Sequence, residues 1–490
     1  MNFWASSVWG FITLFAALML GLLIANIIKR RVPFIKKSLI PTSVLGGLLV
    51  LIFSISYQAI SKTLGAEKTV FDTDFFGGNG SQMLETITYH CLALGFIASA
   101  LKTSKNKVTG KRVKEVFNTG VTTVSTYLIQ AILGLAITIV FGKFVIPELI
   151  EGSGVLLCLG FGQGTGQALN FGRIYENEHE FVNGANFGLS IACLGFLAAS
   201  IGGVIYLNIV KKRKGIVIEE AIEKPIGNED IQGEDEIPIN GGLDKITFQL
   251  IFIVVCYFLT FLAMFGLSKI LPGTGMKDTI YGFNFFFGVL IATLFKKILN
   301  LCKKKNIVKR VYLNNFFLDR VSNFFFDLMI VSGIAAIRLD FLGRYWYVLL
   351  ILAVVGTLVT FFYNLFVAKV LFPEYKDEQF VVMYGMLTGT ASSGMVLLRE
   401  LDPNYKTPAA ENLVFQNFPA IVFGFPLMTL ATMAPDKPYL VLGLISIFFV
   451  VLVIILFRNQ IFRFKKKGSQ VEVVSEETST GETDNSAKQE

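Results

Sequence analysis

Long apolar runs alternate with short polar breaks along this chain. Eleven of the runs come close to the roughly 20 residues that an α-helix needs to cross a bilayer. They lie at 7–28, 39–61, 85–101, 118–142, 186–209, 246–270, 279–297, 318–337, 345–368, 411–432 and 438–457. Two further runs, 152–170 and 380–398, are apolar but interrupted by glycines and hydroxyl side chains. The pattern predicts an all-α polytopic membrane protein. The first run reads as a span and not as a cleaved leader, because its basic cluster follows the apolar stretch and no small-residue cleavage motif ends it.

Composition agrees with the pattern. Of 490 residues, 53% are hydrophobic and 16% charged, and the mean hydropathy is +0.61. Soluble domains carry roughly 25% charged residues. A disordered chain, a disulfide-stapled secreted domain and an ordinary cytosolic enzyme are thereby excluded. The five cysteines are widely spaced and show neither a disulfide framework nor metal-ligand spacing. The net charge of +8 is dispersed in short clusters between apolar runs, such as Lys29-Arg30-Arg31 and Lys211-Lys212-Arg213-Lys214. That is the pattern of cytoplasmic membrane loops, so no nucleic-acid partner is expected.

Counting Lys and Arg orients the chain. With the N-terminus outside, and with both interrupted runs returning to the side they left, the inner segments hold 33 basic residues and the outer ones 9. The expected location is a cytoplasmic membrane, multi-pass, with the C-terminus inside. If either interrupted run crossed fully, every later segment would invert and the bias would degrade.

The organisation expected is a first transmembrane repeat over 1–210, an acidic cytoplasmic linker over 211–245 and a second, inverted repeat over 246–432. An extra helix with a basic end follows at 433–467, then a disordered tail at 468–490 that is rich in Ser, Thr and Glu. Three short matches in the same order support the repeat. Gly47-Leu48-Leu49-Val50 corresponds to Gly288-Val289-Leu290-Ile291, Ile97-Ala98-Ser99 to Ile334-Ala335-Ala336, and Gly164-Thr165 to Gly389-Thr390. The offsets are 241, 237 and 225. Inverted repeats are a common architecture of secondary transporters.

The candidate chemistry sits in the two interrupted runs. The first reads Gly160-Phe161-Gly162-Gln163-Gly164-Thr165-Gly166-Gln167-Ala168, with four alternating glycines. Glycine costs about 1 kcal/mol against alanine within a helix. Non-helical backbone at membrane depth is tolerated only inside protein or beside a water-filled cavity. The expected conformation is therefore a half-helix, an open tip and a second half-helix. The second run reads Thr388-Gly389-Thr390-Ala391-Ser392-Ser393-Gly394 and should enter from the opposite side. Two such tips meeting at mid-depth would offer free N–H groups and positive dipole ends to an anion. Their carbonyls and hydroxyls would suit Na⁺. The candidate substrate-binding residues are Gln163, Gly164, Thr165, Gly166, Gln167, Thr388, Gly389, Thr390, Ser392 and Ser393. Asn186, Asn417 and Asp327 are candidate ion ligands. Asn183, Ser190, Asn412 and Gln416 follow the tips and stand between lining the site and bonding between helices. His90 and Asp327 are repeat-equivalent ionisable groups within spans, candidates for function or for structural pairing. Arg338 and Arg399 are candidates to attract a carboxylate, or plain loop charges.

At these residues the chain resembles the bacterial sodium/glutamate symporter family. Gly164-Thr165-Gly166-Gln167-Ala168 is similar to that family's G-[HQ]-G-T-G-x-A signature, and Ile40-Pro41-Thr42-Ser43-Val44-Leu45-Gly46-Gly47-Leu48-Leu49 to its I-P-x-x-V-x-G-G-L-L segment. Val321-Ser322, followed by Gly333, resembles its eighth span. The resemblance covers most of 7–432. It implies two inverted five-helix units, each with a re-entrant helical hairpin, and an elevator-like motion. It also implies Na⁺-coupled symport of glutamate or a related small carboxylate. The second tip, the linker, the tail and the last span depart from the family pattern. Alternatives left open are a transporter of another small organic anion, a channel, and a membrane subunit of an ion-translocating enzyme complex. With two His, few embedded acids and neither H-E-x-x-H nor G-x-S-x-G, enzymatic chemistry is not expected. Na⁺ is expected as coupling ion, with no organic cofactor and no transition-metal site. The expected partners are a small anion and the lipid bilayer, with a homodimer left open.

Overall fold

The computed structural model describes residues 2–63, 69–103, 110–214, 231, 236–238, 242–270, 276–338, 343, 345–402, 406–458 and 460. The expected acidic linker, but for its ends and a few residues near Glu236, and the expected disordered tail lie outside the described residues. The helices are α1 (Ser6–Arg31), α2 (Pro33–Lys37), α3 (Thr42–Thr63), α4 (Gly80–Leu101), α5 (Lys111–Phe144), α6 (Leu156–His179) and α7 (Gly184–Lys214). They continue as α8 (Lys245–Ile270), α9 (Met276–Gly282), α10 (Asn284–Lys304), α11 (Asn315–Ala335), α12 (Trp346–Leu371) and α13 (Lys376–Thr388). The last are α14 (Ala391–Arg399), α15 (Ala409–Phe415), α16 (Asn417–Met433) and α17 (Pro438–Leu456).

Among the described residues, nine helices are long and apolar enough to cross a membrane, and the bent pair α15–α16 makes ten. Two of the eleven expected spans therefore differ from the plain reading. The run 411–432 is two helices meeting at Gln416, because Pro419 has no N–H and its ring collides with a preceding carbonyl. The run 318–337 is the helix α11, but Asp319, Arg320 and Asp327 keep it out of the apolar set.

Polarity runs opposite to that of a soluble protein. Phe53, Ile60, Phe258 and Phe362 are exposed on the outside of the molecule. Thr119, Thr122, Thr123, Ser125, Thr126 and Gln130 of α5 are buried. A lipid-facing surface has this arrangement, because polar groups without partners in hydrocarbon cost several kcal/mol each. The buried hydroxyls of Thr119, Thr122 and Thr126 bond carbonyls of their own helix.

The helices form two bundles. One holds α1, α3, α4, α8, α10 and α11; the other holds α5, α6, α7 and α12–α17. Contact between them runs chiefly through α6, which packs on α4, α9 and α11. Within each bundle one pair joins the two halves of the chain, lying antiparallel. In the first, Thr88 of α4 bonds Ser332 of α11 at 2.9 Å, and Ser99 bonds Ser322 at 3.1 Å. In the second, Gln130 of α5 bonds Thr360 of α12 at 2.7 Å, and Thr126 bonds Asn364 at 3.4 Å.

Ion pairs gather at the two ends of the bundles. One end carries Lys102–Asp319, Lys111–Glu374, Arg112–Glu411, Lys211–Glu400 and Arg213–Asp377. The other carries Arg173 with Glu85 and His179–Asp436. Each of these pairs joins groups that the charge count assigns to the same side.

Candidate functional site: two helix breaks that meet

The first break is built on α5. Thr138 donates its hydroxyl to Glu151 O at 2.6 Å and accepts from Gly154 N at 3.0 Å. Gly134 and Gly154 touch backbone to backbone, which only residues without a Cβ permit. The first arm then follows α5 to Gly162, whose carbonyl accepts from the Tyr127 hydroxyl at 3.1 Å. At Gly164 the backbone leaves the helix with φ +77° and ψ −167°. The second arm departs over the other bundle. Thr165 donates to Met329 O at 3.3 Å, Asn170 to Gly282 O at 2.9 Å, and Arg173 pairs with Glu85.

The two ends of this segment come back together. Gly152 lies against Ala434 and Pro435, Tyr175 donates to Ala431 O at 2.7 Å, and His179 bonds Asp436 at 2.8 Å. A continuous helix from Glu151 to His179 would hold its ends about 40 Å apart. The chain therefore doubles back at Gly164. The second arm reaches His179, nine residues beyond the expected limit of 170.

The second break has the same construction at the opposite end of the bundle. α13 ends at Thr388, Gly389 and Thr390 leave the helical conformation, and α14 begins with Thr390 as its cap, accepting from Ser393 N at 3.4 Å. Its ends are both held by the basic end of α7. Asp377, nearly buried, bonds Arg213 at 2.8 Å and Lys214 at 3.0 Å, and also accepts from the Tyr206 hydroxyl at 2.8 Å. Glu400 pairs with Lys211 at 2.7 Å. Met386 and Leu387 sit just before the break, and Gln130 donates to Leu387 O at 2.9 Å.

The tips meet. A Cβ on Gly164 would stand 3.5 Å from the Thr390 methyl, 3.7 Å from Gly389 O and 3.7 Å from the Phe196 ring. Phe196, fully buried on α7, thus touches both breaks. Tyr127 and Gln130 are one turn apart on α5 and so share a face. Each holds the carbonyl two residues before a break. These three residues were not visible as site residues in the sequence. The i, i+3 spacing of Tyr127 and Gln130 was the one available signal, and an aromatic in a span reads as packing.

Several polar groups at the tips lack protein partners. The Gln167 side chain is 1% exposed, and neither its oxygen nor its nitrogen is hydrogen-bonded among the described residues. Gln163 Nε2 and Gln130 Oε1 are buried and likewise unpaired. Native interiors leave few such groups. The side chains brought against the tips, Tyr127, Gln130, Phe196 and Met329, are all uncharged.

The structure thus brings Gly164 against Gly389 and Thr390, with Gln163, Thr165, Gly166 and Gln167 flanking the first break along the chain and Thr388, Ser392 and Ser393 the second. Within the set, the Thr165 hydroxyl turns to Met329 O and the Thr388 hydroxyl to Tyr384 O, so these two side chains serve the scaffold. The expected ion ligands do not join them. Asn186 accepts from Arg338 N at 2.9 Å near the start of α7. Asn417 is exposed where α16 begins. Asp327 takes a hydrogen bond from Ser43 at the first turn of α3, where a carboxylate complements the helix dipole. Asn183 and Ser190 belong to the α7 turn and backbone. Asn412 bonds Tyr375 and Gln379, and Gln416 bonds Thr123, in a polar layer beside α13. His90 lies on an exposed face of α4 against Tyr257 at 2.6 Å. Among the described residues no three His, Cys, Asp or Glu gather as a metal cluster.

No family model matches the chain, and no curated protein matches it. The functional reading therefore rests on this geometry and on the motif resemblance.

Proposed function

We propose that the protein is a secondary active transporter that couples Na⁺ to the import of glutamate or a related small carboxylate by elevator-like alternating access. One observation carries the reading: two broken helices double back from opposite ends of one bundle, and their tips touch at Gly164 and Thr390. In membrane terms they are re-entrant hairpins. Discontinuous helices at matching positions of two halves are the strongest structural pointer to a transporter site.

The inverted repeat has its own support. The helices of each antiparallel central pair, α4 with α11 and α5 with α12, occupy matching places in the two halves. An inverted pseudo-twofold demands that relation. The five helices α1, α3, α4, α5 and α7 then correspond to α8, α10, α11, α12 and α15–α16, and α17 is the addition. The two bundles supply a moving part, which bears both hairpins, and a fixed one.

The chemistry follows from the half-helix ends. The arms beginning at Thr165 and Ala391 direct unpaired N–H groups and positive dipole ends toward the tips, where a carboxylate is stabilised. The arms ending at Gln163 and Thr388 direct carbonyls there, and with Gln130 Oε1 they offer neutral oxygens to Na⁺. A bound cation offsets the charge of the anion in a site whose described neighbours, Tyr127, Gln130, Phe196 and Met329, are uncharged. The unpaired amides of Gln163 and Gln167 give the cargo directional hydrogen bonds.

The experiment is reconstitution into liposomes with labelled glutamate, aspartate and C4–C6 dicarboxylates. Uptake is expected to follow an imposed Na⁺ gradient and to vanish when K⁺ replaces Na⁺. Uptake of one of these anions without dependence on Na⁺ rejects the coupling. Failure to take up any of them rejects the substrate class.

A further inference from the structure

α10 turns one face outward as it runs toward the basic end of the molecule. Leu290, Leu294, Lys297, Leu301 and Lys304 follow one another at steps of four and three residues, so they form one stripe. All five are exposed. An outward apolar stripe in a membrane helix lies against acyl chains, and this one carries two lysines at its end. Lys297 stands about 10 Å before Lys304 along the helix axis. Its neighbour Lys296 is turned inward, donating to Ala100 O at 2.6 Å and to Lys102 O at 2.8 Å at the end of α4. Among the described residues the Lys297 side chain has neither a hydrogen-bond nor an ion-pair partner.

The turn after α10 adds to this charge. Asn306 takes φ +56°, its N–H bonds Lys303 O at 3.0 Å, and Ile307 N bonds Cys302 O at 3.0 Å. These are the two bonds of a Schellman close, in which the residue after the left-handed one commonly packs back on the helix. Ile307 stands out instead. It is 69% exposed, in a turn whose Lys304, Lys305, Lys309 and Arg310 are exposed too. No Asp or Glu lies between Asp278 and Asp319, whereas seven Lys and Arg do. Among the described residues those four cations form no ion pair. Glu236 of the linker is engaged elsewhere: its carboxylate accepts from Lys245 at 2.8 Å and from Asn314 Nδ2 at 2.7 Å.

We propose that this end of α10 binds an anionic phospholipid. The acyl chain lies along Leu290, Leu294 and Leu301. Lys297 extends its stem along the helix to the headgroup layer and meets the phosphate from the bilayer side. Lys304 and Lys305 meet it from the aqueous side, and Ile307 enters the boundary between headgroups and chains. Two features select this partner. Cations without acids call for negative charge, and an apolar stripe continuous with them favours an amphiphile over a soluble anion. The surface belongs to the bundle that bears neither hairpin, so the lipid ties that bundle to the leaflet at the basic end. The inference goes beyond the transport reading and needs neither the cargo nor the coupling ion.

The test uses the full chain, purified in detergent and read by native mass spectrometry after addition of phosphatidylglycerol or phosphatidylcholine. The unmodified protein is expected to retain phosphatidylglycerol preferentially. Lys297→Gln and Lys304→Gln should each weaken that retention about fivefold at an unchanged unfolding temperature. Lys114→Gln removes an exposed cation of α5 at the same end and should leave retention unchanged. Equal losses in all three variants, or no preference between the two lipids, overturn the proposal. Lysine acylation of the unmodified protein in vesicles gives a second reading, scaled to Lys114. Lys297 and Lys304 should be labelled in phosphatidylcholine alone and protected when phosphatidylglycerol is included. Protection in phosphatidylcholine alone would assign the face to the acidic linker or to a second copy, and protection by inorganic phosphate to a soluble anion; either overturns the proposal. Neither measurement involves uptake, so failure of the transport reading leaves both outcomes legible.

Discussion

Gly164 holds φ +77° with the Thr390 methyl facing the place of its missing Cβ. A β-branched residue is strained there by its own backbone and also presses on the opposite tip. Gly164→Val is expected to lower uptake at least about 100-fold while insertion and topology persist, read by transport alongside single-cysteine labelling. A second residue-scale prediction concerns Gln130. Replacing it by Leu leaves Leu387 O buried without its donor, a loss of about 1–3 kcal/mol. Gln130→Leu is therefore expected to lower the unfolding temperature and, because the carbonyl beside the second break is no longer held, to raise the KM for Na⁺ and cargo roughly 5–100-fold. Tyr127→Phe, which removes a longer bond from a half-buried group, should do the same more weakly. Unchanged KM in both variants would assign them to packing alone. The glycine and its neighbours were legible in the sequence because alternating glycines are expensive in a membrane helix. Tyr127, Gln130 and Phe196 were not, since each resembles an ordinary core residue until the fold brings it to a break.

Each hairpin is anchored where its two ends converge. The second is held by Asp377, which accepts from Arg213, Lys214 and Tyr206. Removing the charge of a nearly buried carboxylate strands those donors. Asp377→Asn is expected to cost about 2–3 kcal/mol, seen as a lower unfolding temperature in detergent. The outer cations are half-exposed, so Arg213→Gln should lower the unfolding temperature far less than Asp377→Asn. At this scale the sequence pattern located both interrupted runs but clipped them. The second arm of the first hairpin continues to His179 through Asn170, Arg173 and Glu176, whose polarity ends the apolar run although the helix goes on. Polarity there is answered by Gly282, Glu85 and Ala185, partners that only the packed structure supplies. The break at Gln416 is the converse case, where hydropathy is continuous and Pro419 alone interrupts the helix.

For the whole molecule, the doubling back of both segments makes a labelling prediction. Cysteines at Phe144 and Val182, exposed on either side of the first hairpin, should react with an impermeant maleimide from one face. Cysteines at Glu374 and Lys406, exposed on either side of the second, should react from the other face. Phe144 and Val182 reacting from opposite faces would mean that the first hairpin crosses, and the paired-tip site would fall with it. The two layers of ion pairs make the same division. Lys102, Lys111, Arg112, Lys211 and Arg213 find acids at one end, while Arg173 and His179 find theirs at the other. The excess of Lys and Arg lies at the first end, the one the charge count expects to face the cytoplasm.

The sequence by itself determined that the chain is helical and suited to a bilayer. Apolar length and low charge density are summed over residues and need no partner to be read. It also determined where helices must fail, because glycine and proline act through their own backbones. Which residues meet across the molecule was decided by tertiary structure alone. Asn186 and Asp327 carry the right oxygens yet bond elsewhere, Asn417 stands exposed, and one face of α14 is exposed while the matching arm of α6 is buried. Those outcomes depend on how two bundles sit against each other, a relation between distant segments that no local pattern encodes.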